Sequence, residues 1–205
     1  MDHTCFDVRI EHNVAHVVMN RPDKRNSMVK AFWTELPAIV RDIDENARAR
    51  AIVISSTGPH FTSGIDIGLF ADGTLTPEAA DAETARMQHG ANLYATIKRL
   101  QETFTVLENC RIPVLAAIQG GCIGGGVDLI TACDMRYASR DAFITIFETN
   151  IGMTADVGTF PRISKLIPDG LARELAYTGR RMGAEEAQAI GLVNRVFPDH
   201  EALVN

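Results

Sequence analysis

The chain has 205 residues, 46% of them hydrophobic, and a formal net charge of −6 at pH 7. This length and composition predict one soluble domain with a buried core, and the acidic balance disfavours a protein that binds nucleic acid, which usually presents a basic face. No apolar run approaches the roughly 20 residues that a membrane-spanning helix needs, and the N-terminus lacks a basic and apolar signal sequence, so we expect a cytoplasmic protein with no membrane partner.

The four cysteines and six histidines show no spacing typical of a metal site. The chain contains neither a C-x-x-C pair nor an H-E-x-x-H pattern, so we expect no bound metal. Cys122 and Cys133 flank the helix that follows a glycine run, and they are predicted to be small core residues. Unpaired cysteines of this kind fit a reducing compartment.

The first part of the chain combines a strand pair with a helix. Residues 6–10 and 14–19 are apolar-rich and separated by a short polar turn, which predicts a β-hairpin. A helix is predicted to follow, capped by Ser27 and running to about Asn46. Pro37 lies inside it, so we expect a kink or a local break there.

The rest of the chain alternates between strand and helix patterns. Residues 73–83 are polar and small, and we expect them to be mobile. The apolar patterns predict, in order, a strand over 51–55, a helix over 86–109, a strand over 113–118, a helix after the glycine run at 120–126, strands over 136–138 and 142–146, helices over 158–166, 171–178 and 184–190, and a strand over 193–196. This alternation indicates a single α/β domain, residues 1–205, with parallel strands and right-handed helical crossovers.

Two glycine-containing loops each join a strand to a helix. They are Ser63-Gly64-Ile65-Asp66 and Gly124-Gly125-Gly126-Val127. Together they could direct two backbone N–H groups at one oxygen, which is the geometry of an oxyanion hole; the alternative is that the glycines only permit tight turns or close packing. Neither a G-x-G-x-x-G nor a G-x-x-x-x-G-K-[ST] motif occurs, which disfavours an enzyme that uses a nicotinamide or a nucleoside triphosphate.

Three carboxylates near these loops are candidates for proton transfer beside an acyl carbonyl. Asp128 lies in the first turn of the glycine-run helix, where it could instead favour the helix dipole. Glu148 follows an apolar strand, and partial burial would raise its pKa and make it a better base; the alternative is an exposed glutamate at a strand end. Asp156 could supply a proton, or could cap a helix that begins near Val157.

At these motifs the sequence resembles the enoyl-CoA hydratase/isomerase (crotonase) superfamily, from about Val14 to Phe197. Residues 20–28 resemble the first coenzyme A loop of that family, 61–67 its first oxyanion loop and 120–129 its second. Within the superfamily the chain is most similar to the Δ3,5-Δ2,4-dienoyl-CoA isomerase group, and the segments Gln101-Glu-Thr-Phe104 and Thr154-Ala-Asp-Val-Gly-Thr159 support that group.

The resemblance implies a spiral of ββα units that binds an acyl-CoA thioester, with coenzyme A as part of the substrate and no separate cofactor. It implies that the N–H groups of Ile65 and Gly125 hold the thioester oxygen. The residues expected to contact the substrate are Arg21, Lys24, Arg25, Ser63, Gly64, Asp66, Ile67 and Gly124, of which the three cations are candidates for the coenzyme A phosphates. Asp66 and Asp134 are also expected to brace the local structure.

The implied reaction belongs to fatty-acid degradation. Glu148 would take a proton from C2 of a 3,5-dienoyl-CoA. Asp156, protonated at the floor of an apolar pocket, would deliver a proton at C6, and the product would be the conjugated 2,4-dienoyl-CoA. Asp128 would orient or tune the site. Two alternatives stay open: a 2-enoyl-CoA hydratase in which Asp128 and Glu148 act on water, and a non-catalytic acyl-CoA-binding or scaffold protein.

The family usually continues beyond the point where this chain stops. Its C-terminal helices cover the acyl pocket and support a homo-trimer or a pair of trimers, so the resemblance implies such an assembly and implies that most of this helical region is missing here. The acyl chain would be bounded by side chains such as Phe70, Leu93 and Phe160.

Overall fold

A computed structural model of the chain describes residues 3–71 and 82–204, so the segment predicted to be mobile, 73–83, lies almost entirely outside the described residues. The strands are β1 (Phe6–Glu11), β2 (Val14–Met19), β3 (Ala51–Ser56), β4 (Val114–Ile118), β5 (Gly121–Ile123), β6 (Met135–Ser139), β7 (Phe143–Thr145), β8 (Met182–Gly183) and β9 (Arg195–Phe197). The α-helices are α1 (Phe32–Glu45), α2 (Gly68–Ala71), α3 (Ala82–Glu108), α4 (Gly125–Ala132), α5 (Thr159–Ile163), α6 (Asp169–Thr178), α7 (Ala184–Ala189) and α8 (His200–Val204).

The larger sheet is six-stranded, in the order β1-β2-β3-β4-β6-β9. The hairpin β1–β2 is antiparallel, and every later pairing in this sheet is parallel. Parallel neighbours require crossover connections, which α1, α3, α4 and α7 supply. The predicted α/β architecture with parallel strands is therefore confirmed. Within the described residues, no helix combines the length and the apolar composition needed to cross a bilayer.

A smaller sheet of three short strands, in the order β5-β7-β8, lies beside the start of α4. The sequence pattern predicted β7 but neither β5 nor β8. These two strands have three and two residues, which is too short for an alternating apolar pattern to be recognised. β5 runs parallel to β7, and the pair positions the glycine run that opens α4.

The predicted cap of the first long helix is wrong. α1 begins at Phe32 after Ala31, and no side chain caps its first turn. The hydroxyl of Ser27 instead donates a hydrogen bond to Oδ2 of Asp66 at 2.7 Å. A serine before an apolar periodic run is a typical capping signal, but here tertiary contact with another loop takes the hydroxyl.

The predicted break at Pro37 does not occur, because α1 is one helix from Phe32 to Glu45 with Pro37 inside it. A proline lacks the N–H that would bond to the carbonyl four residues earlier, and that carbonyl belongs to Trp33. The hydroxyl of Thr103 on α3 donates to the Trp33 oxygen at 3.3 Å. A neighbouring helix thus satisfies the acceptor that the proline leaves unpaired.

Two further boundaries differ from the predicted ones. α5 has five residues rather than spanning 158–166, and β9 begins at Arg195 rather than at Val193. Val193 is buried although it lies in the connection that precedes β9. An apolar side chain can pack against the core from a loop, so hydrophobicity alone misplaced the start of this strand.

Aromatic side chains join α1 to α3 in the core. Phe104 is fully buried, and its ring centroid lies 5.6 Å from that of Trp33 and 6.4 Å from that of Phe32. Aromatic pairs at these distances add to the stabilisation that apolar burial provides. The C-terminal half of α3, which is the half nearest the site described below, is thereby packed against α1.

Replacing Phe104 by Ala is expected to lower the free energy of unfolding by about 3–5 kcal/mol, because the truncation leaves a cavity between α1 and α3. Urea denaturation followed by circular dichroism measures this quantity. Tyr94 on the same helix is 68% exposed, so Tyr94→Ala is the matched control and should change stability by no more than about 0.5 kcal/mol. Equal losses in the two variants would contradict the described packing of α3.

Candidate active site

Three segments that are distant in sequence meet at the start of α4. The backbone N–H of Met28 donates to the carbonyl of Gly64 at 2.9 Å, and the N–H of Asp66 donates to the carbonyl of Met28 at 3.2 Å. The N–H of Thr62 donates to the carbonyl of Gly121 in β5 at 3.0 Å. The predicted coenzyme A loop and the two predicted oxyanion loops are therefore hydrogen-bonded into one unit.

Thr62 holds this unit together, and the sequence analysis assigned it no role. Its buried hydroxyl donates to the carbonyl of Asn26 at 2.7 Å and accepts from the N–H of Gly64 at 3.1 Å. The only hydrogen of this buried hydroxyl is thus paired, and one of its two lone pairs also accepts a bond. Its partner Asn26 lies 36 residues earlier, so no local pattern could have identified the contact.

Two backbone amides lie close together where the glycine loops meet. The N–H groups of Ile65 and Gly125 have no acceptor among the residues that the structure describes. A Cβ on Gly125 would lie 3.6 Å from the Ile65 nitrogen, and a Cβ on Gly64, whose φ is +85°, would lie 2.6 Å from the carbonyl oxygen of Ile123. Gly64 is therefore required for this close approach. Unpaired amides at a helix start can bind one oxygen, and their role as an oxyanion hole stays a prediction.

Asp128 is buried within α4, with 1% of its surface exposed. Its Oδ1 accepts hydrogen bonds from the N–H and the hydroxyl of Thr159, at 2.7 and 2.8 Å. Its Oδ2 is buried and has no partner among the described residues. Burial and, secondly, the charge of Glu148 raise the pKa of Asp128 to about 7, against the opposing effects of Thr159 and Arg162.

Glu148 begins a short 3₁₀ helix, Glu148–Ile151, which follows β7 after two intervening residues. A Cβ on Gly124 would lie 3.2 Å from its Oε1, so the carboxylate is adjacent to the residue that precedes the Gly125 amide. Its Oε2 is buried without a partner in the described part of the chain. Burial is the main reason that the pKa of Glu148 is raised, and the nearby charge of Asp156 adds to it. The expected partial burial and raised pKa are both present.

Asp156 is not a helix cap. α5 begins at Thr159, with Gly158 in the cap position and no side-chain hydrogen bond there. Asp156 is exposed, whereas the sequence interpretation placed it at the floor of an apolar pocket. The pKa of its carboxyl is nevertheless raised by partial desolvation, and its charge acts on Glu148. The two carboxyls are thus close enough for their charges to interact, although the described residues leave that of Asp156 open to water.

The helix α3 holds the segment that contains Asp156. The side-chain amide of Gln101 donates to the carbonyl of Asp156 at 2.7 Å, which gives a physical role to a motif that the sequence only associated with a family group. Buried Arg162 donates to Oε2 of Glu108 at 3.0 Å, to the hydroxyl of Thr105 at 3.1 Å and to the carbonyl of Gly158 at 3.3 Å. The sequence analysis missed Arg162, because its partners lie on a distant helix.

The predicted coenzyme A cations divide into two kinds. One guanidinium nitrogen of Arg21 donates to the carbonyl of Ser27 at 2.6 Å, so Arg21 shapes the loop that carries it. Lys24 and Arg25 are exposed, and within residues 3–71 and 82–204 neither forms an ion pair. They are the better candidates for contact with phosphate.

The remaining predicted contacts lie around the first glycine loop. The carboxylate of Asp66 accepts from Ser27 and from the N–H of Gly68 at 3.0 Å, and these bonds lower its pKa. Asp66 thus braces the loop, as expected. The N–H of Ser63 donates to the carbonyl of Arg25 at 2.9 Å, and the side chain of Ile67 is exposed.

The other expected positions can also be located. Oδ2 of Asp134 accepts from the N–H of Val114 at 2.7 Å, so Asp134 ties the segment after α4 to the start of β4. The proposed acyl-chain walls Leu93 and Phe160 are exposed, and the side chain of Phe70 lies outside the described residues.

Cys122 and Cys133 are buried core residues, as predicted. In the described part of the chain, no group of three His, Cys, Asp or Glu side chains is arranged to hold a metal ion. The expectation that the protein uses no metal and no separate cofactor stays a prediction.

Known proteins resemble both this sequence and this fold. The chain is 47% identical over 208 residues to the human mitochondrial Δ(3,5)-Δ(2,4)-dienoyl-CoA isomerase. The aligned region covers 100% of this chain and 62% of that relative. It is 40% identical to the peroxisomal Δ(3,5)-Δ(2,4)-dienoyl-CoA isomerase of Arabidopsis thaliana, over 95% of this chain and 69% of the relative. The chain thus spans less than two thirds of the human protein's length.

A solved structure confirms the crotonase-like fold. The crystal structure of an enoyl-CoA hydratase/isomerase from Marinobacter aquaeolei superposes with a TM-score of 0.85 at 26% identity, covering 98% of this chain and 73% of that one. Residues 9–205 match the sequence profile described as enoyl-CoA hydratase/isomerase. The profile match and the identities confirm the resemblance seen in the glycine loops, and the chain belongs to the enoyl-CoA hydratase/isomerase family.

Proposed function

We propose that the site converts a 3,5-dienoyl-CoA to the conjugated 2,4-dienoyl-CoA. The observation that carries this proposal is the convergence of two unpaired amides, at Ile65 and Gly125, with the carboxyls of Asp128 and Glu148, each of which has a buried oxygen without a partner in the described chain. The similarity to proteins named dienoyl-CoA isomerases supports the isomerase over the hydratase. Retention of both amides and all three carboxyls argues against a non-catalytic scaffold.

The geometry suggests how the first half of the reaction proceeds. The amides of Ile65 and Gly125 donate to the thioester oxygen and stabilise the negative charge that develops when a proton leaves C2. Glu148 is the base, because its carboxylate lies beside Gly124 and hence beside the carbon next to the thioester carbonyl. The electron pair of the C2–H bond then enters the conjugated system.

The second half of the reaction needs an acid further along the acyl chain. Charge delocalised over the dienolate is neutralised when protonated Asp156 gives its proton to C6, and the double bonds move to C2 and C4. Partial desolvation raises the pKa of Asp156, which is the direction that the role of an acid requires. After one turnover Glu148 holds the C2 proton and Asp156 is ionised, so a proton must pass back from one to the other. Asp156 is exposed, so solvent water can carry that proton.

Asp128 acts on this site as a neutral group in the proposal. Its pKa of about 7 is raised by burial and by the charge of Glu148, so the ionised base favours the neutral form of its neighbour. A protonated Asp128 donates a hydrogen bond and does not compete with Glu148 for the C2 proton. The role in fatty-acid degradation, the trimeric or hexameric assembly and the cytoplasmic location belong to the same proposal.

Asp156→Asn is expected to lower the rate of 2,4-dienoyl-CoA formation by about 10²–10⁴-fold, the usual contribution of a positioned acid. Purified protein mixed with a 3,5-dienoyl-CoA should develop the absorbance of the conjugated diene, and the variant should lose this signal while still binding acyl-CoA by calorimetry. Asp169→Asn, at an exposed position on α6, is the matched control and should keep the rate. Full activity in Asp156→Asn would exclude the assigned role.

The same preparation distinguishes the alternative functions. Rapid loss of crotonyl-CoA absorbance without diene formation would indicate a hydratase. Binding of acyl-CoA without turnover of either substrate would indicate a scaffold. Each outcome would overturn the isomerase proposal in favour of a named alternative.

Gly64→Ala is expected to reduce turnover by about 10²–10³-fold, the effect of removing one oxyanion donor. The added Cβ would lie 2.6 Å from the Ile123 carbonyl oxygen, so the loop must shift and the Ile65 amide with it. Gly152→Ala is the control, because Gly152 has a similar φ of +72° but has open space around its Cβ position. If both variants lose activity equally, backbone strain rather than the Ile65 amide is responsible.

The raised pKa of Asp128 predicts a pH-dependent stability. Its folded pKa of about 7 exceeds the ordinary value of 3.8, so between these values the folded chain holds a proton that the unfolded chain has released. The stabilisation is complete below about pH 4 and is lost as pH rises through about 7. The difference in unfolding free energy between the native chain and Asp128→Asn should therefore fall over this range.

Urea denaturation at several pH values from 4 to 8 measures this difference directly. Both chains contain Glu148 and Asp156, so the difference reports the titration of Asp128 together with its coupling to Glu148. A difference that stays constant from pH 4 to pH 8 would contradict the raised pKa.

A further inference from the structure

The two oxygens of the Asp128 carboxyl have very different surroundings. Oδ1 accepts two hydrogen bonds, both from Thr159, at 2.7 Å from its N–H and 2.8 Å from its hydroxyl. Oδ2 is equally buried but has no partner among the residues that the structure describes. An oxygen whose lone pairs already accept two donors is a poor site for a proton. When Asp128 is neutral, the acidic hydrogen therefore belongs on Oδ2.

We propose that Thr159 is a positioning residue of the site. Both hydrogen-bond donors of Thr159 stay on Oδ1 of Asp128, and this confines the acidic proton of Asp128 to Oδ2. The neutral acid then has a fixed direction for the single hydrogen bond that it can donate. Only the catalytic use of Asp128 rests on the proposed function. The arrangement itself is a property of the free protein and can be tested without substrate.

The donors of Thr159 are held in place by their surroundings. Thr159 is fully buried and is the first residue of α5. The preceding carbonyl, of Gly158, accepts from buried Arg162 at 3.3 Å, and Arg162 is anchored on α3 by Glu108 at 3.0 Å. A donor pair that is fixed before ionisation stabilises a charge more than a mobile one does. The side chain of Thr159 therefore acts as part of a rigid support.

Other groups around Asp128 also influence its ionisation, and each is independent of the Thr159 hydroxyl. Glu148 repels the charged form, and Arg162 stabilises it from α5. On β5, the thiol of Cys122 has a pKa well above its ordinary value because it is buried, so it stays neutral. On α3, Glu108 is paired with Arg162. A substitution that removes only the Thr159 hydroxyl leaves these charges in place.

The central test is a carboxyl titration of Asp128 in the full chain. Aspartate labelled with ¹³C at Cγ is followed by NMR over pH, and the Asp128 signal is identified by its loss in Asp128→Asn. Thr159→Val removes the hydroxyl but keeps the shape and the backbone donor. Because a hydrogen bond to a charged group contributes about 1.5–3 kcal/mol, the pKa of Asp128 should rise by about one to two units.

Two matched variants test whether the shift in the Asp128 pKa is caused by loss of the Thr159 hydroxyl. Thr159→Ser retains the hydroxyl and should titrate as the native chain does. Thr131→Val removes another buried hydroxyl on α4, which donates to the backbone carbonyls of Val127 and Asp128 rather than to the carboxyl, and it should leave the titration unchanged. An unchanged titration in Thr159→Val, or an equal shift in Thr131→Val, would overturn the proposal.

A second measurement needs no change at Thr159 and decides the question if Thr159→Val does not fold. The infrared difference spectrum between the native chain and Asp128→Asn at pH 5 reports the C=O stretch of the neutral Asp128 carboxyl. If the proton is on Oδ2, the C=O oxygen is Oδ1 with two donors, and the band should lie at the low frequency of a doubly hydrogen-bonded carbonyl.

A band at the frequency of an unbonded carbonyl would place the proton on Oδ1 and overturn the proposal. Because both measurements use the free protein, absence of isomerase activity would count against the proposed function alone. A wrong titration or a wrong infrared band would count against Thr159 alone.

Discussion

The desolvation of Asp128 in the first turn of α4 is the constraint around which the site is organised. A carboxylate removed from water is costly unless donors or positive charges compensate it. Thr159 supplies two donors and Arg162 a nearby positive charge, while Glu148 adds repulsion. These opposing effects bring the pKa of Asp128 to about 7, so the group is poised between its neutral and charged forms at neutral pH.

Parallel strand pairing explains why distant segments meet at this point. β3 and β4 are parallel neighbours, so the chain leaves both strands at the same edge of the sheet. The first glycine loop follows β3, and the second follows β4 and β5. The isolated bridge between Thr62 and Cys122 then joins them. The pair of unpaired amides is therefore a consequence of sheet topology as much as of the glycines.

The helix α3 provides the other support of the site. It contacts the segment from Asp156 to Arg162 through Gln101, Thr105 and Glu108, and its C-terminal half is anchored to α1 by Phe104. The positions of Asp156 and Thr159 are consequently set by a helix that carries no candidate catalytic group. The packing of α3 against α1 in the core therefore helps to set the positions of the acidic groups.

Some features of the fold and the site were accessible from the sequence because their causes are local. Glycine runs, apolar periodicity and the spacing of Asp128 after Gly125 are properties of neighbouring residues, and they correctly predicted the parallel α/β fold, the start of α4 and the raised pKa of Glu148. Local reasoning failed at Ser27 and Pro37, where a contact from another segment replaced the cap and removed the predicted break.

The sequence by itself determined the family, the glycine loops and the three candidate carboxyls, since these depend on residue identity and short-range spacing. Only the tertiary structure decided which oxygen of Asp128 is hydrogen-bonded, that Asp156 is exposed and does not cap a helix, and that Arg162 and Thr62 hold the loops. The hydrogen bonds of Asp128, Arg162 and Thr62 that decide these points join groups that lie 31 to 57 residues apart and meet only in the folded chain. Burial and hydrogen bonding between such groups are properties of the folded packing, and no local sequence pattern encodes them.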